Sequence, residues 1–243
     1  MVEATLLTAN AQLLFGKLMQ IPPNMQEICA LLETGHFSSD DVSRAAVAFS
    51  NACVDESLDH VINREHVWEY QSRSAEVVKG EHSTFLFEIV KLLLEYGLDP
   101  NAVYEDENIM CDLRFIENEY VAADTMALLL EHGGDLDLEV DGDSVFSDID
   151  FAVIFDAVEQ SDRRRYDALV HVWFVCLGYG GRLKDGKAGL ELYKDRNSGE
   201  IFELSKLKNH RNYSFGLTNV PCHGEQWSLH IFDKQTMWEV VRL

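Results

Sequence analysis

As far as Gly180-Gly181, apolar residues recur at spacings of three and four. Leu6, Leu13, Leu14 and Leu18 form one such stripe, Ile28, Leu31 and Leu32 a second, and Ile89, Leu92 and Leu93 a third. A period near 3.6 gathers these positions on one side of a helix, so the pattern predicts a succession of amphipathic helices. Pro22-Pro23 separates the first two, because proline cannot continue a helix from within. Ser38 or Ser39 stands just before a helix predicted over Asp40 to Cys53 and can cap its first turn, where Asp40 and Asp41 favour the positive end of the dipole. Val54 to Ser83 is polar and poorly periodic, which reads as an insertion or a linker.

Beyond Gly181 the period changes to two. Tyr213, Phe215 and Leu217 alternate with polar residues, as do Trp227, Leu229 and Ile231. In the last segment Met237, Glu239 and Val241 form one face, with Trp238 and Val240 on the other. Asn197-Ser198-Gly199 and Asp233-Lys234-Gln235 sit between such runs as turns. The expectation is a β-meander of four or five short strands.

The chain also repeats itself. Leu92-Leu93-Leu94-Glu95-Tyr96-Gly97-Leu98-Asp99 recurs 36 residues later as Leu128-Leu129-Leu130-Glu131-His132-Gly133-Gly134-Asp135, an offset in the range of repeat architectures. Weaker echoes are Ala30 to Gly35 and Val175 to Gly180. Ile89, Leu92 and Leu93 make one apolar stripe while Val90 and Leu94 face a second neighbour, as in a helix sandwiched inside a stack. Gly97 and Gly133 suit the left-handed position that ends a helix, and Pro100 turns Asp99 away from helical conformation.

The stretch Phe87 to Ala102 resembles the second helix and exit loop of an ankyrin repeat. The Thr-Pro-Leu-His opening of that family's first helix is absent, and Ile109 to Ile116 and Val145 to Phe155 stand in its place. The resemblance implies stacked helix pairs, loops that project like fingers, and a concave face that binds proteins. The expected fold class is therefore mainly α: ankyrin-like stacked helix pairs (an α-solenoid) with a small C-terminal antiparallel β-meander. The expected divisions are 1–84 (N-terminal helices, degenerate repeats or a cap), 85–181 (ankyrin-like repeats) and 182–243 (β-meander, capping the open end of the stack).

Charge sharpens this picture. Of 243 residues, 42 are acidic and 20 basic, a formal charge of −22. From Asp99 to Asp162 there are 19 acids and a single base, Arg114, whereas Arg182 to Leu243 holds 8 acids and 10 bases. Such a field repels nucleic acid and anionic membrane and favours basic partners. At 47% apolar and 26% charged, the composition is that of a folded chain. Cys29, Cys53, Cys111, Cys176 and Cys222 are odd in number and scattered, which reads as reduced core thiols. With no basic segment ahead of an apolar run at Met1 and no membrane-length stretch, the expected location is cytoplasmic.

Motifs that carry chemistry are few. Asp137, Glu139, Asp141, Gly142 and Asp148 fall at positions of a calcium loop, but Ser144 occupies the place of an apolar residue and the last ligand is Asp instead of Glu; a turn at a finger tip explains the same residues better. Cys222-His223 with His210 and His230 matches no zinc spacing. Gly178-Tyr179-Gly180-Gly181 follows a helix, which is the wrong context for a dinucleotide loop. Arg163-Arg164-Arg165 reads as the start of a helix surface, and paired carboxylates are too numerous for one pair to stand out. No metal or cofactor is expected. The leading expectation is a non-enzymatic scaffold that binds a basic protein through acidic fingers, with Tyr104, Glu105, Asp106 and Glu107 on one and Asp137, Glu139, Asp141 and Asp143 on the next. Two alternatives remain: an acidic immunity or inhibitor protein neutralising a basic toxin or nuclease, and a hydrolase-like enzyme with its site at the C-terminal β segment.

Overall fold

The computed structural model describes residues 7–20, 22–54, 75–116, 118–159, 163–181, 191–192, 208, 214–218, 227–232 and 237–242. These are mainly helical. The helices are α1 (Ala9–Leu18), α2 (Met25–Leu32), α3 (Ser39–Val54), α4 (Ala75–Glu95), α5 (Ile109–Asp112), α6 (Glu119–Glu131), α7 (Val145–Glu159) and α8 (Arg163–Gly178), with a 3₁₀ turn at Leu113–Phe115 prolonging α5. They pack in two rows. In one, α1 lies on α3, α3 on α5 and α5 on α7; in the other, α4 lies on α6 and α6 on α8. Cross-links between the rows run from α3 to α4, from the 3₁₀ turn to α6, and from α7 to α8.

The burial follows from this arrangement. Among the described side chains of α4 the buried ones are Leu86, Ile89, Val90 and Leu93, the three-and-four spacing of one helical face. Helix α8 is buried without a break from Ala168 to Gly178. Past its end, Lys208 Nζ lies 4.0 Å from the centre of the Tyr179 ring, so part of the C-terminal segment touches the exit of the last helix. Each fully buried Leu, Ile or Phe in these rows contributes about 1.5–3 kcal/mol of transfer free energy.

Three expectations need correction. Leu13 is 51% exposed; the buried stripe of α1 is Ala11, Leu14, Phe15 and Leu18, the face that α1 turns mainly to α3 and α2. The polar stretch before Ser83 is not all linker: α4 starts at Ala75, and residues 55–74 lie outside the described part. The C-terminal strands β3 (Glu191–Leu192), β4 (Ser214–Thr218), β5 (Trp227–Phe232) and β6 (Met237–Arg242) form a sheet in the order β3-β6-β5-β4. Among the described residues β4, β5 and β6 make the meander, and β3 pairs antiparallel with β6. Residues 193–213 separate β3 from β4, too many for a hairpin loop, so β3 is free to join the opposite edge. Register sets Phe215 against Ile231 and Ile231 against Trp238, and Leu217 against Leu229 and Leu229 against Val240. Among the described residues no helix is long and apolar enough to cross a membrane.

Candidate acidic finger site

The 36-residue repeat is a repeat of hydrogen bonds as well as of letters. At the end of α4, Leu98 N–H donates to Leu93 C=O at 3.0 Å and Gly97 N–H to Leu94 C=O at 3.3 Å. At the end of α6, Gly134 N–H donates to Leu129 C=O at 2.9 Å and Gly133 N–H to Leu130 C=O at 3.2 Å. Gly97 and Gly133 take φ of +92° and +95°, the left-handed turn that lets the chain close on its last helical carbonyls. The same closure ends α8, where Gly181 N–H reaches Cys176 C=O at 2.9 Å and Gly180 has φ +95°.

Each closure leads into a finger. Asp99 and Asp135 each accept the N–H two residues on, from Asn101 and Asp137, both at 2.9 Å; these Asx turns start the outward run. The first finger turns back where Tyr104 pairs with Glu107. The second does so 36 residues later in the hairpin of β1 (Glu139–Val140) and β2 (Asp143–Ser144), where Val140 pairs with Asp143. The two central residues of each turn have positive φ: Glu105 +55° and Asp106 +63°, then Asp141 +48° and Gly142 +89°. Both are the tight mirror-image turns that match strand twist. Each finger then caps the helix that follows. Asn108, fully buried, accepts Met110 N–H at 2.8 Å and donates to Pro100 and Ala102 C=O at 3.1 and 2.8 Å. Ser144 Oγ accepts Ser147 N–H at 3.1 Å.

Each exit loop is clipped to the element before it by the same backbone groups, the first to α3 and the second to the preceding loop. Ser39 Oγ donates to Gly97 C=O, and Ser43 Oγ accepts Asp99 N–H at 2.9 Å. One repeat on, a single Asn101 amide does both: it donates to Gly133 C=O at 2.9 Å and accepts Asp135 N–H at 2.7 Å. This clip holds the finger bases in a fixed relation. Asp137 occupies the place of Asn101 one repeat later; it is a carboxylate and lies exposed.

Of the eight residues singled out from sequence, Glu105, Asp106, Asp137, Glu139, Asp141 and Asp143 are exposed. Tyr104 and Glu107 are half-buried and turned to structural use. Tyr104 Oη donates to Asp40 Oδ1 at 2.9 Å, and the Arg44 guanidinium sits 4.4 Å over its ring. Burial, helped by the Asp40 carboxylate, pushes the Tyr104 phenol up to about 12.

Glu107 stands beside Asp112, a carboxyl at the end of α5 that is 2% exposed. Burial first, and then the charge of Glu107, push Asp112 well above the usual carboxylate range. No excess of acids in the sequence distinguishes this pair; the fold does, by sealing one member away. Asp112 and Asp148 are equivalent 36 residues apart, which shows that the repeat runs on past the leucine triplets through Ile109/Val145 and Leu113/Ile149.

Among the described residues, no group of three or more His, Cys, Asp or Glu side chains converges to hold a metal. Asp148 is on α7 and pairs with Arg114. Cys53, Cys111 and Cys176 are buried and in no disulfide; burial pushes Cys111 up to about 12 and raises Cys176 as well, the opposite of an activated nucleophile. His210, Cys222 and His223 lie outside the described residues. No family model, curated protein or solved structure matches the chain.

Proposed function

We propose that the chain is a non-enzymatic scaffold of the ankyrin-like, stacked-helix-pair kind, and that its acidic fingers bind a protein with a basic surface. The observation that carries this reading is the repetition of one finger geometry with exposed acids at both tips. Glu105, Asp106, Asp141 and Asp143 crown turns whose bases are clipped together through Asn101. Glu105 and Asp106 also hold left-handed backbone that glycine adopts at about 1 kcal/mol less. A solubilising surface has no need to place acids where backbone strain opposes them; strain of this kind gathers where loops bind. Rigid tips lose little freedom on binding, and the chain's net charge of −22 speeds encounter with a cationic partner.

The test uses a lysine-rich peptide as probe, titrated into the full chain by calorimetry at two salt concentrations. Neutralising Glu139, Asp141 and Asp143 together is expected to weaken binding about tenfold and flatten its salt dependence. Neutralising the exposed Glu33, Glu88 and Glu95, the same charge removed from the end of α2 and from α4, is expected to change affinity less than about twofold. Equal losses from both triple variants would reduce the fingers to general acidity and end the proposal.

A further inference from the structure

We propose that Asp112 is a buried proton donor to Glu107, and that loss of this one proton is a switch releasing the second arm of the first finger from α5. The groups around Asp112 support its ionised form too weakly to offset its burial. From the finger, Glu107 presents a second carboxylate. From α3, the fully buried Ser50 hydroxyl lies beside it and favours the charged form, but by less than burial and Glu107 oppose it, and Asp112 Oδ2 itself has no hydrogen-bond partner. From α5, Cys111 is a buried neutral thiol. The nearest cation is Arg114, the single base between Asp99 and Asp162, and it is committed elsewhere: it pairs with Asp148 on α7 and lies 4.5 Å over the Phe115 ring.

A buried carboxylate with a like charge beside it, and only one hydroxyl and an arginine already paired with another acid to favour its charge, keeps its proton. Protonated, it can donate to Glu107 and tie the second arm of the finger to the helix it precedes. When the proton leaves to water, that bond becomes a repulsion between two carboxylates in a poorly hydrated place. Glu107 is the movable partner, since it lies on a loop and is half-exposed, while Asp112 is anchored by its N–H bond to Asn108 C=O at 3.2 Å. The switch therefore acts on Tyr104 to Glu107, the finger proposed above to bind. Its link to partner binding rests on that proposal; the switch itself is measured on the chain alone.

The experiment is a ¹³C carboxyl NMR titration of the full chain from about pH 3 to about pH 9, with amide exchange read at Glu105 to Asn108. Asp112 is expected to stay protonated after surface carboxylates have ionised near about pH 4. Glu107→Gln is expected to lower the Asp112 midpoint by about one unit, and finger protection, corrected for intrinsic exchange, should fall as Asp112 ionises. Asp112→Asn, a neutral donor in the same place, should keep the finger protected throughout. Ionisation of Asp112 together with the surface acids, a midpoint indifferent to Glu107→Gln, or finger protection unchanged across it would each overturn the switch. The wild-type titration decides the matter even if a variant fails to fold. Binding of the lysine-rich probe tests the fingers separately, so either proposal can fail while the other stands.

Discussion

Asn101 and Asp135 join two loops 34 residues apart in the chain through a single amide group, Asn101 Oδ1 accepting the Asp135 N–H at 2.7 Å. The other half of that amide takes the Gly133 carbonyl. Replacing Asn101 by Ala strands both backbone groups near the surface, where water can reach them in part. The expected loss is about 1–2 kcal/mol, read as a lower urea midpoint with unchanged slope. Asn101→Asp keeps the acceptor and loses the donor, so it should fall between wild type and Ala.

The closing glycines separate conformational from steric effects. At Gly133 (φ +95°) an added Cβ meets nothing within 4 Å, whereas at Gly181 it would lie 2.5 Å from the Phe146 ring. Gly133→Ala is expected to lose about 1 kcal/mol, the left-handed penalty alone. Gly181→Ala must displace a fully buried ring and should lose about 2–3 kcal/mol. Thermal denaturation of both variants gives the ranking, and a reversed order would remove the packing account.

Asp41 predicts an acid limb of stability. Its carboxylate accepts from Thr8 and from Ser38, whose N–H and hydroxyl lie at 3.0 and 2.7 Å; Thr8 foremost, with Ser38, holds it down to about 2. The folded chain thus binds this proton less readily than the unfolded chain, whose Asp titrates near 3.8. Its stabilisation is complete above that value and disappears as pH falls from 3.8 to about 2. Asp41→Asn should shrink the acid limb, seen in unfolding midpoints taken through that window. The Asp112 contribution runs the other way, because a raised value favours the fold at low pH and is lost as pH rises through it.

Tyr104→Phe removes the bond to Asp40 and leaves the ring under Arg44. About 1 kcal/mol of stability should go, and one tyrosine ionising near 12 should vanish from the ultraviolet titration. Affinity for the lysine-rich probe should hold, because Tyr104 steadies the finger while the exposed acids beyond it make the contact.

How much of this could be read in advance depends on the range of the interaction. Helix periodicity, the glycines at left-handed positions, the finger turn over Asp137 to Asp143 and the 36-residue echo are all local, and all were legible from residue order. The echo was legible only in its leucine-rich half, because Tyr104 to Asn108 and Val140 to Ser144 share backbone geometry with almost no letters in common. The strand partners of β3 were not legible, since a two-residue strand carries no period and its pairing is a long-range choice.

The sequence by itself therefore determined the helices, their closing glycines, the acidity of the finger tips and the cysteines set in apolar helical surroundings. Tertiary structure alone decided what each acid does. Asp112 and Asp148 occupy the same place in the repeat, yet Arg114 reaches forward to Asp148 while α3 offers Asp112 only the hydroxyl of Ser50. The difference is physical: a carboxyl's charge state depends on which groups other elements bring to it and on how much water they leave, and neither is written in its neighbours along the chain.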